Sequence, residues 1–164
     1  MAIRVGLGFD VHPFADDRPL VLGGVVIPDA AGLAGHSDAD AVAHAVADAL
    51  LGAAGLPDLG TLYPASEDQH RGASSVGFLV DIAARLAGDG WSVANVGVVI
   101  AAERPRLAPH VPAIAAGVAS ALDAVRDPAD VAVPVTVTPK RGEGLGAIGR
   151  AEGIAAWAVA LLQR

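Results

Sequence analysis

The sequence predicts a single-domain α/β fold, a two-layer sandwich in which helices pack on one face of a mixed β-sheet. Three observations predict it. A chain of 164 residues is long enough for one well-buried core and too short for two ordinary domains. Hydrophobic residues make up 53% of the chain and aromatics only 4%, so the core is built from small aliphatic side chains that suit close helix-on-sheet packing. Finally, the segments follow the order strand, strand, helix, helix, strand, helix, strand, helix.

The elements can be justified in turn. "IRVGLGFDVHPF" and "PLVLGGVVIP" are β-branched runs separated by the polar turn "ADDR", which predicts a hairpin. "GLAGHSD" opens an Ala-rich helix from Asp38 to Leu51, with Ser37 as its N-cap and Asp40 three residues on, a weaker capping box. Residues 52–74 are rich in Gly and polar groups and read as a long irregular segment, a kind that usually serves function or mobility. A second helix spans Ser75 to Leu86 and stops at "AGDG". "WSVANVGVVIAAE" is a buried strand, "RPRLAPH" a loop, and Val111 to Val125 a third helix. "DVAVPVTVTPK" is the last strand, and "RGEGLGAIGRAEG" a glycine-rich turn before a closing helix that runs through Leu162.

Several function classes are set aside by composition. A formal net charge of -7 argues against nucleic acid as a partner, because phosphate-backbone binders present clustered Lys and Arg. With no cysteine in the chain, any metal ligand must be His, Asp or Glu. The N-terminal residues lack the pattern of a signal peptide, and no apolar run has the length of a membrane span, so the expectation is a cytoplasmic protein without a membrane partner. The hydrophobic excess also suggests apolar surface buried between subunits, although a helix-covered sheet gives the same composition.

Asp10 and His12 fall on one face of the first strand, about 6.5 to 7 Å apart along the backbone, so both can reach one ion. His44 stands in the predicted helix one turn after Asp40 and one turn before Asp48, amid apolar neighbours. Two His and one carboxylate leave a coordination position open, as in catalytic zinc sites, and the same set suits non-haem Fe(II). Taken singly, each residue is explained as well by a strand end, a turn hydrogen bond or a core histidine. His36, Ser37 and Asp38 sit at the predicted helix start, where free N–H groups favour an anion. N-capping alone accounts for Ser37 but leaves His36 unexplained, and Asp58 in "LPDLG" reads equally as a turn residue. "TPKRGEGLGAIGRAEG" joins Lys140, Arg141 and Arg150 to glycines, Glu143 and Glu152, a combination suited to phosphates and Mg²⁺ but also to a solvated loop.

Together, "GFDVHPF", "LGGVVIP", "GHSDADAVAHAVADALLGAAGLPDLG", "RPRLAPHVP" and "EGLGAIGRAEGIAAWAVALL" resemble the signatures of the 2-C-methyl-D-erythritol 2,4-cyclodiphosphate synthase family over nearly the whole chain. The resemblance implies a CMP-releasing phosphorus–oxygen lyase of the non-mevalonate isoprenoid pathway. Its substrate would be 4-diphosphocytidyl-2-C-methyl-D-erythritol 2-phosphate, and the enzyme a homotrimer with active sites between subunits. It implies Zn²⁺ on Asp10, His12 and His44, with His36 and Ser37 against the erythritol phosphate, Asp58 at its hydroxyls, and Gly60 also among the substrate-binding positions. Residues 101–109, including Ala102 and Arg106, fall at the cytosine pocket. Glu143 matches a carboxylate that helps hold a second divalent ion, Mg²⁺ or Mn²⁺, and counts with Asp10, His12, His36 and His44 among the expected catalytic residues.

Departures from the family pattern are also informative. Lys140, Arg141 and Gly142 replace a run of threonines, one of which contacts a phosphate; the cationic pair can bind the same oxygens. Ala39 stands where glycine is usual, a change that a helix first turn tolerates. Ala147 replaces an aromatic residue at the threefold axis, where some family members hold an isoprenoid diphosphate, while Arg150 and Phe9 keep a central anion site open. Two other readings of the residues are a two-His, one-carboxylate oxygenase or metallohydrolase, and a non-catalytic trimer that binds isoprenoid diphosphates. His70 and His110 receive no catalytic role.

Overall fold

The computed structural model describes residues 1–64, 66 and 72–164; His70 and part of the irregular segment lie outside them. A five-stranded mixed sheet has the order β2-β1-β5-β3-β4. The strands are β1 (Ile3–Leu22), β2 (Val25–Leu33), β3 (Ser92–Ala101), β4 (Val135–Lys140) and β5 (Gly153–Gln163). Only β3 and β4 run parallel; β1–β2, β1–β5 and β3–β5 are antiparallel. The helices are α1 (Ala41–Ala54), α2 (Leu59–Leu62), α3 (Ser75–Gly88), α4 (Val111–Asp123) and α5 (Gly146–Gly149). The two-layer sandwich expected from the sequence is therefore present.

Along β1 the residues alternate between two environments. Gly6 and Gly8 are buried under α1, whereas Val5, Leu7, Phe9 and Val11 are exposed on the opposite face. A β-carbon on Gly6 would lie 1.9 Å from the carbonyl oxygen of Ala49, so only glycine lets helix and strand backbones approach this closely. The same approach explains the small side chains of β5. Ala156, Ala158 and Ala160 are buried on the helix face, while Trp157 and Val159 point outward.

That alternation corrects the expected closing helix. The Ala-rich end of the chain has helical propensity, but its period is two, and pairing to both β1 and β3 makes it a central strand. A second correction concerns the hairpin. "ADDR" is not its turn: β1 continues through it to Leu22 with a register irregularity between Ala15 and Pro19. The chain reverses at Gly23 and Gly24 instead, with φ of +59° and +77°, the positive angles that a two-residue hairpin loop demands.

α1 is apolar on nearly all sides because it lies between the sheet and α3. Its buried residues include Val42, Ala43, Val46, Leu50 and Leu51, leaving His44, Asp48 and Gly52 as its open stripe at helical spacing. The helix starts three residues later than expected, and Asp40, not Ser37, is its N-cap. The fully buried Asp40 carboxylate accepts hydrogen bonds from the N–H groups of Val42 and Ala43 in α1 and of Gly23 and Gly24 in the β1–β2 turn. This one side chain ties the hairpin to the helix start. α1 ends at Gly55, in the left-handed conformation with φ of 74°.

Candidate active site

The middle of β1 and the first turn of α1 bring the three expected ligands together. Asp10 and His12 share the β1 face that Gly6 and Gly8 present to α1. His44 descends from α1 to meet them. The Asp10 Oδ2 atom lies 2.8 Å from His12 Nε2 and 3.0 Å from His44 Nδ1. The two ring nitrogens are 3.3 Å apart, and one donor atom from each residue fits within 4.8 Å of the others.

His12 Nδ1 lies 2.8 Å from the Ala34 carbonyl oxygen. A carbonyl only accepts, so Nδ1 carries a proton, and Nε2, beside Asp10 and His44, is the nitrogen that can bind an ion once deprotonated. On the other side of His44, Nε2 is 2.9 Å from Ser75 Oγ and 3.2 Å from Ser37 Oγ. Burial tends to raise the Asp10 pKa, but hydrogen bonds and charge from His12 and His44 more than offset it, so the carboxyl is held well below the usual range. Hydrogen bonding to Asp10 raises His12 above its ordinary value despite opposing burial. An anionic oxygen and two imidazole nitrogens crowded this closely fit a divalent ion that accepts N and O donors.

The cluster forms the floor of a cleft of about 270 Å³, whose walls include His36, Ser37, Asp48, Gly60, Tyr63 and Phe78. The Tyr63 and Phe78 rings stack with centroids 4.5 Å apart. His36 and Ser37 thus reach the site, but not from a helix N-terminus. The anion site expected at that terminus is absent because the Asp40 carboxylate takes the first free N–H groups of α1. Ala39 likewise precedes the helix, with φ of +55°, so glycine would be favoured there for backbone reasons that a helix-first-turn reading missed.

Asp58 caps α2, its Oδ1 accepting from Thr61 N at 3.0 Å, and hydrogen bonds from the Thr61 side chain and backbone lower its pKa. Asp48, one turn beyond His44, accepts the Leu59 N–H at 2.8 Å and so anchors α2, with Gly60, beside the cleft. Neither this tether nor the aromatic wall was legible locally, since the contacts join residues distant in sequence.

A second cleft of about 470 Å³ opens between the ends of β3 and β4, where Ala102, Arg106, Lys140 and Arg141 meet Glu103 and Leu107. Arg141 is paired with Glu103, its Nε 3.1 Å from Oε1, and Glu103 Oε2 accepts the Gly142 N–H at 3.1 Å. The Arg141 charge, expected to face phosphate, is therefore already engaged. Glu143 occupies an exposed left-handed turn with φ of +52° outside the linings of both clefts. Arg150 pairs with Glu152, Nε to Oε1 at 2.6 Å.

A mixed-sheet α/β sandwich with two His and one Asp at the floor of a cleft defines a metal-site enzyme class, without fixing the reaction. The comparisons with known proteins narrow it. Residues 3–163 match the YgbB family. The 2-C-methyl-D-erythritol 2,4-cyclodiphosphate synthase of Thermosynechococcus vestitus is 45% identical over 163 residues, 99% of this chain and 98% of the relative. A solved 2C-methyl-D-erythritol-2,4-cyclodiphosphate synthase in its CDP-bound form has a TM-score of 0.84 at 34% identity, covering 98% of this chain and 100% of that one. The bifunctional IspDF of Campylobacter jejuni has a TM-score of 0.89 at 36% identity, with 98% of this chain matching 42% of that longer one. The chain belongs to the YgbB family, the family of the 2-C-methyl-D-erythritol 2,4-cyclodiphosphate synthases.

Proposed function

We propose that this chain is an enzyme that converts 4-diphosphocytidyl-2-C-methyl-D-erythritol 2-phosphate to 2-C-methyl-D-erythritol 2,4-cyclodiphosphate and CMP, a step of the non-mevalonate isoprenoid pathway. The observation that carries the reading is the convergence of Asp10, His12 and His44 at the floor of a cleft walled by His36, Ser37 and Gly60. Family membership, relatives named for this synthase and a CDP-bound relative support it.

In the reaction an oxygen of the 2-phosphate attacks the β-phosphorus. The bond from that phosphorus to the α–β bridging oxygen breaks, and the bridging oxygen leaves on CMP with the bonding electron pair. Catalysis of such a transfer is largely positioning and charge neutralisation. Asp10, His12 and His44 would hold the metal, which we assign as zinc, and its chemistry when bound is Lewis-acid polarisation of a phosphate oxygen. His36 and Ser37 orient the erythritol phosphate, and Asp58 and Gly60 its hydroxyls. Ala102 and Arg106 line the cytosine side. Lys140 faces the phosphates, with Arg141 behind it on Glu103. Glu143 serves a second divalent ion, Mg²⁺ or Mn²⁺.

The assembly belongs to the same proposal. Val5, Leu7, Phe9, Val11, Trp157 and Val159 leave an apolar sheet face uncovered, and a homotrimer would bury it. The two clefts of one chain share no lining residue, which suits sites completed by a neighbouring subunit. An isoprenoid diphosphate on the threefold axis would find Arg150 as its anion contact. Among the described residues no helix is long and apolar enough to cross a membrane, and the sequence expectation of a cytoplasmic location is part of this reading.

The test is mass spectrometry of the cytidyl substrate incubated with zinc-loaded protein and Mg²⁺. Equimolar CMP and cyclic diphosphate are expected. A linear hydrolysis product, or no turnover, would sink the proposal, and sedimentation of the same sample reads the trimer directly.

A further inference from the structure

We propose that Ser75 and Asp38 form a hydrogen-bonded relay that sets the tautomer and ring orientation of His44, making Ser75 a positioning residue for the metal centre. The inference rests on the reading of Asp10, His12 and His44 as metal ligands, and not on which reaction follows.

Ser75 is a polar side chain with only 1% of its surface exposed. Burying a hydroxyl is costly unless its bonding is satisfied. Its N–H donates to Asp38 Oδ2 at 3.0 Å, and its hydroxyl donates to Asp38 Oδ1. A serine hydroxyl has a single proton. Because that proton is committed to the carboxylate, the Oγ atom can only accept from His44 Nε2, 2.9 Å away. Nε2 therefore carries a proton, which leaves Nδ1, 3.0 Å from the Asp10 carboxylate, as the nitrogen that gives up its proton to bind an ion.

His12 reaches the complementary state with the Ala34 carbonyl on its Nδ1. Each imidazole thus has one nitrogen fixed as a donor to the protein and the other free as a ligand, the arrangement in which partners outside the metal shell raise ligand basicity and hold ring geometry. His44 differs in routing its bond through a hydroxyl to a carboxylate. If Asp38 were lost, the Ser75 hydroxyl could turn its proton toward Nε2 and favour the opposite tautomer, with a proton on Nδ1 where the metal binds. Ser37 Oγ, 3.2 Å from Nε2, is the one alternative acceptor among the hydrogen bonds described for that atom.

The test is zinc affinity of the full chain, stripped of metal and titrated against a chromophoric chelator, with no substrate present. The variants are S75A, S75T, D38A and S75A/D38A. Loss of such partners typically weakens metal binding about 10- to 100-fold. S75A is expected at the low end of that range because Ser37 remains, and D38A at least as far down. S75T, which keeps the hydroxyl, should return affinity close to that of the parent. The double variant should be no weaker than D38A, since Asp38 acts through Ser75. Cobalt-loaded S75A should show altered visible d–d bands, a readout that a purely structural role would leave in place.

Parent-like zinc affinity in both S75A and D38A would overturn the proposal. So would losses that multiply in the double variant, or a fall in melting temperature of the metal-free chain with affinity intact. Failure of the parent protein to cyclise the cytidyl substrate would sink the assigned reaction and leave this result standing.

Discussion

A β-carbon on Gly8 would lie 1.9 Å from the carbonyl oxygen of Ala45. Ala45 follows His44, and Gly8 precedes Asp10 on the same face of β1, so this backbone contact sets the distance between the two halves of the metal cluster. Strand–helix packing and ligand geometry are here one feature.

Gly8→Ala tests that link. The added methyl meets backbone, which cannot rotate away, so α1 must lift or slide. Overpacking of this kind costs about 1–3 kcal/mol or more. Denaturation should show a loss of that size, and zinc affinity should fall with it, because His44 moves with the helix. A variant equally stable and equally zinc-binding would show that α1 can shift without disturbing the ligands.

The same contact explains what could be read in advance. Period-two alternation placed Asp10 and His12 on one face, and an isolated histidine in an apolar helix suggested their partner; both features are local and survived. The Ala-rich C-terminus misled because alanine suits a helix by propensity and a glycine-lined contact by size; only its outward Trp157 and Val159 betrayed the strand. The helix start was misplaced because Ser37 and Asp40 are both good caps. What decided between them was the β1–β2 turn, where Gly23 and Gly24 add two donors for Asp40. The Ser75 and Asp48 tethers join segments far apart in sequence, and nothing beside them announces the contact.

Removing a ligand should uncouple metal binding from folding. His44→Ala deletes one donor and leaves a small residue in an Ala-rich helix, so the fold is expected to persist. Metal analysis should show loss of tightly bound zinc, and CMP release should drop by at least about 100-fold, the scale for loss of a main electrostatic stabiliser. Normal turnover by a metal-free variant would contradict the assigned role of the cluster.

Asp40→Ala should be among the most damaging single changes outside the ligands. It removes an N-cap, worth about 0.5–2 kcal/mol, and strips a partner from the N–H groups of buried Gly23 and exposed Gly24, the one buried unsatisfied donor costing about 1–3 kcal/mol. A combined loss of roughly 2–5 kcal/mol is expected in chemical denaturation. A loss below about 1 kcal/mol would mean that water replaces the carboxylate at both ends.

The pairing of Arg141 with Glu103 makes a different prediction from a direct phosphate contact. If Arg141 chiefly holds the ends of β3 and β4 together, Arg141→Ala and Glu103→Ala should each raise KM for the cytidyl substrate with a smaller effect on kcat. The double variant should then resemble either single. If Arg141 instead binds phosphate directly, Glu103→Ala frees its charge and KM should fall.

The cluster also fixes how pH acts, with opposite signs for the apo and metal-bound protein. In the metal-free chain Asp10 is held below its usual pKa, so its contribution to stability is present above about 4 and is lost only as pH falls through its lowered value. His12 is raised above 6.5 by the same carboxylate. Its contribution is complete below 6.5 and disappears as pH rises through the raised folded value. Metal binding requires His12 neutral, so protons compete with the ion in the same range in which they favour the apo pair. Between pH 8 and pH 6 the melting temperature of the stripped chain should therefore rise slightly while zinc affinity falls, approaching about tenfold per pH unit once His12 is mostly protonated. Chelator competition and apo melting curves across this range check both slopes. Zinc affinity that stays flat would remove His12 from the ligand set.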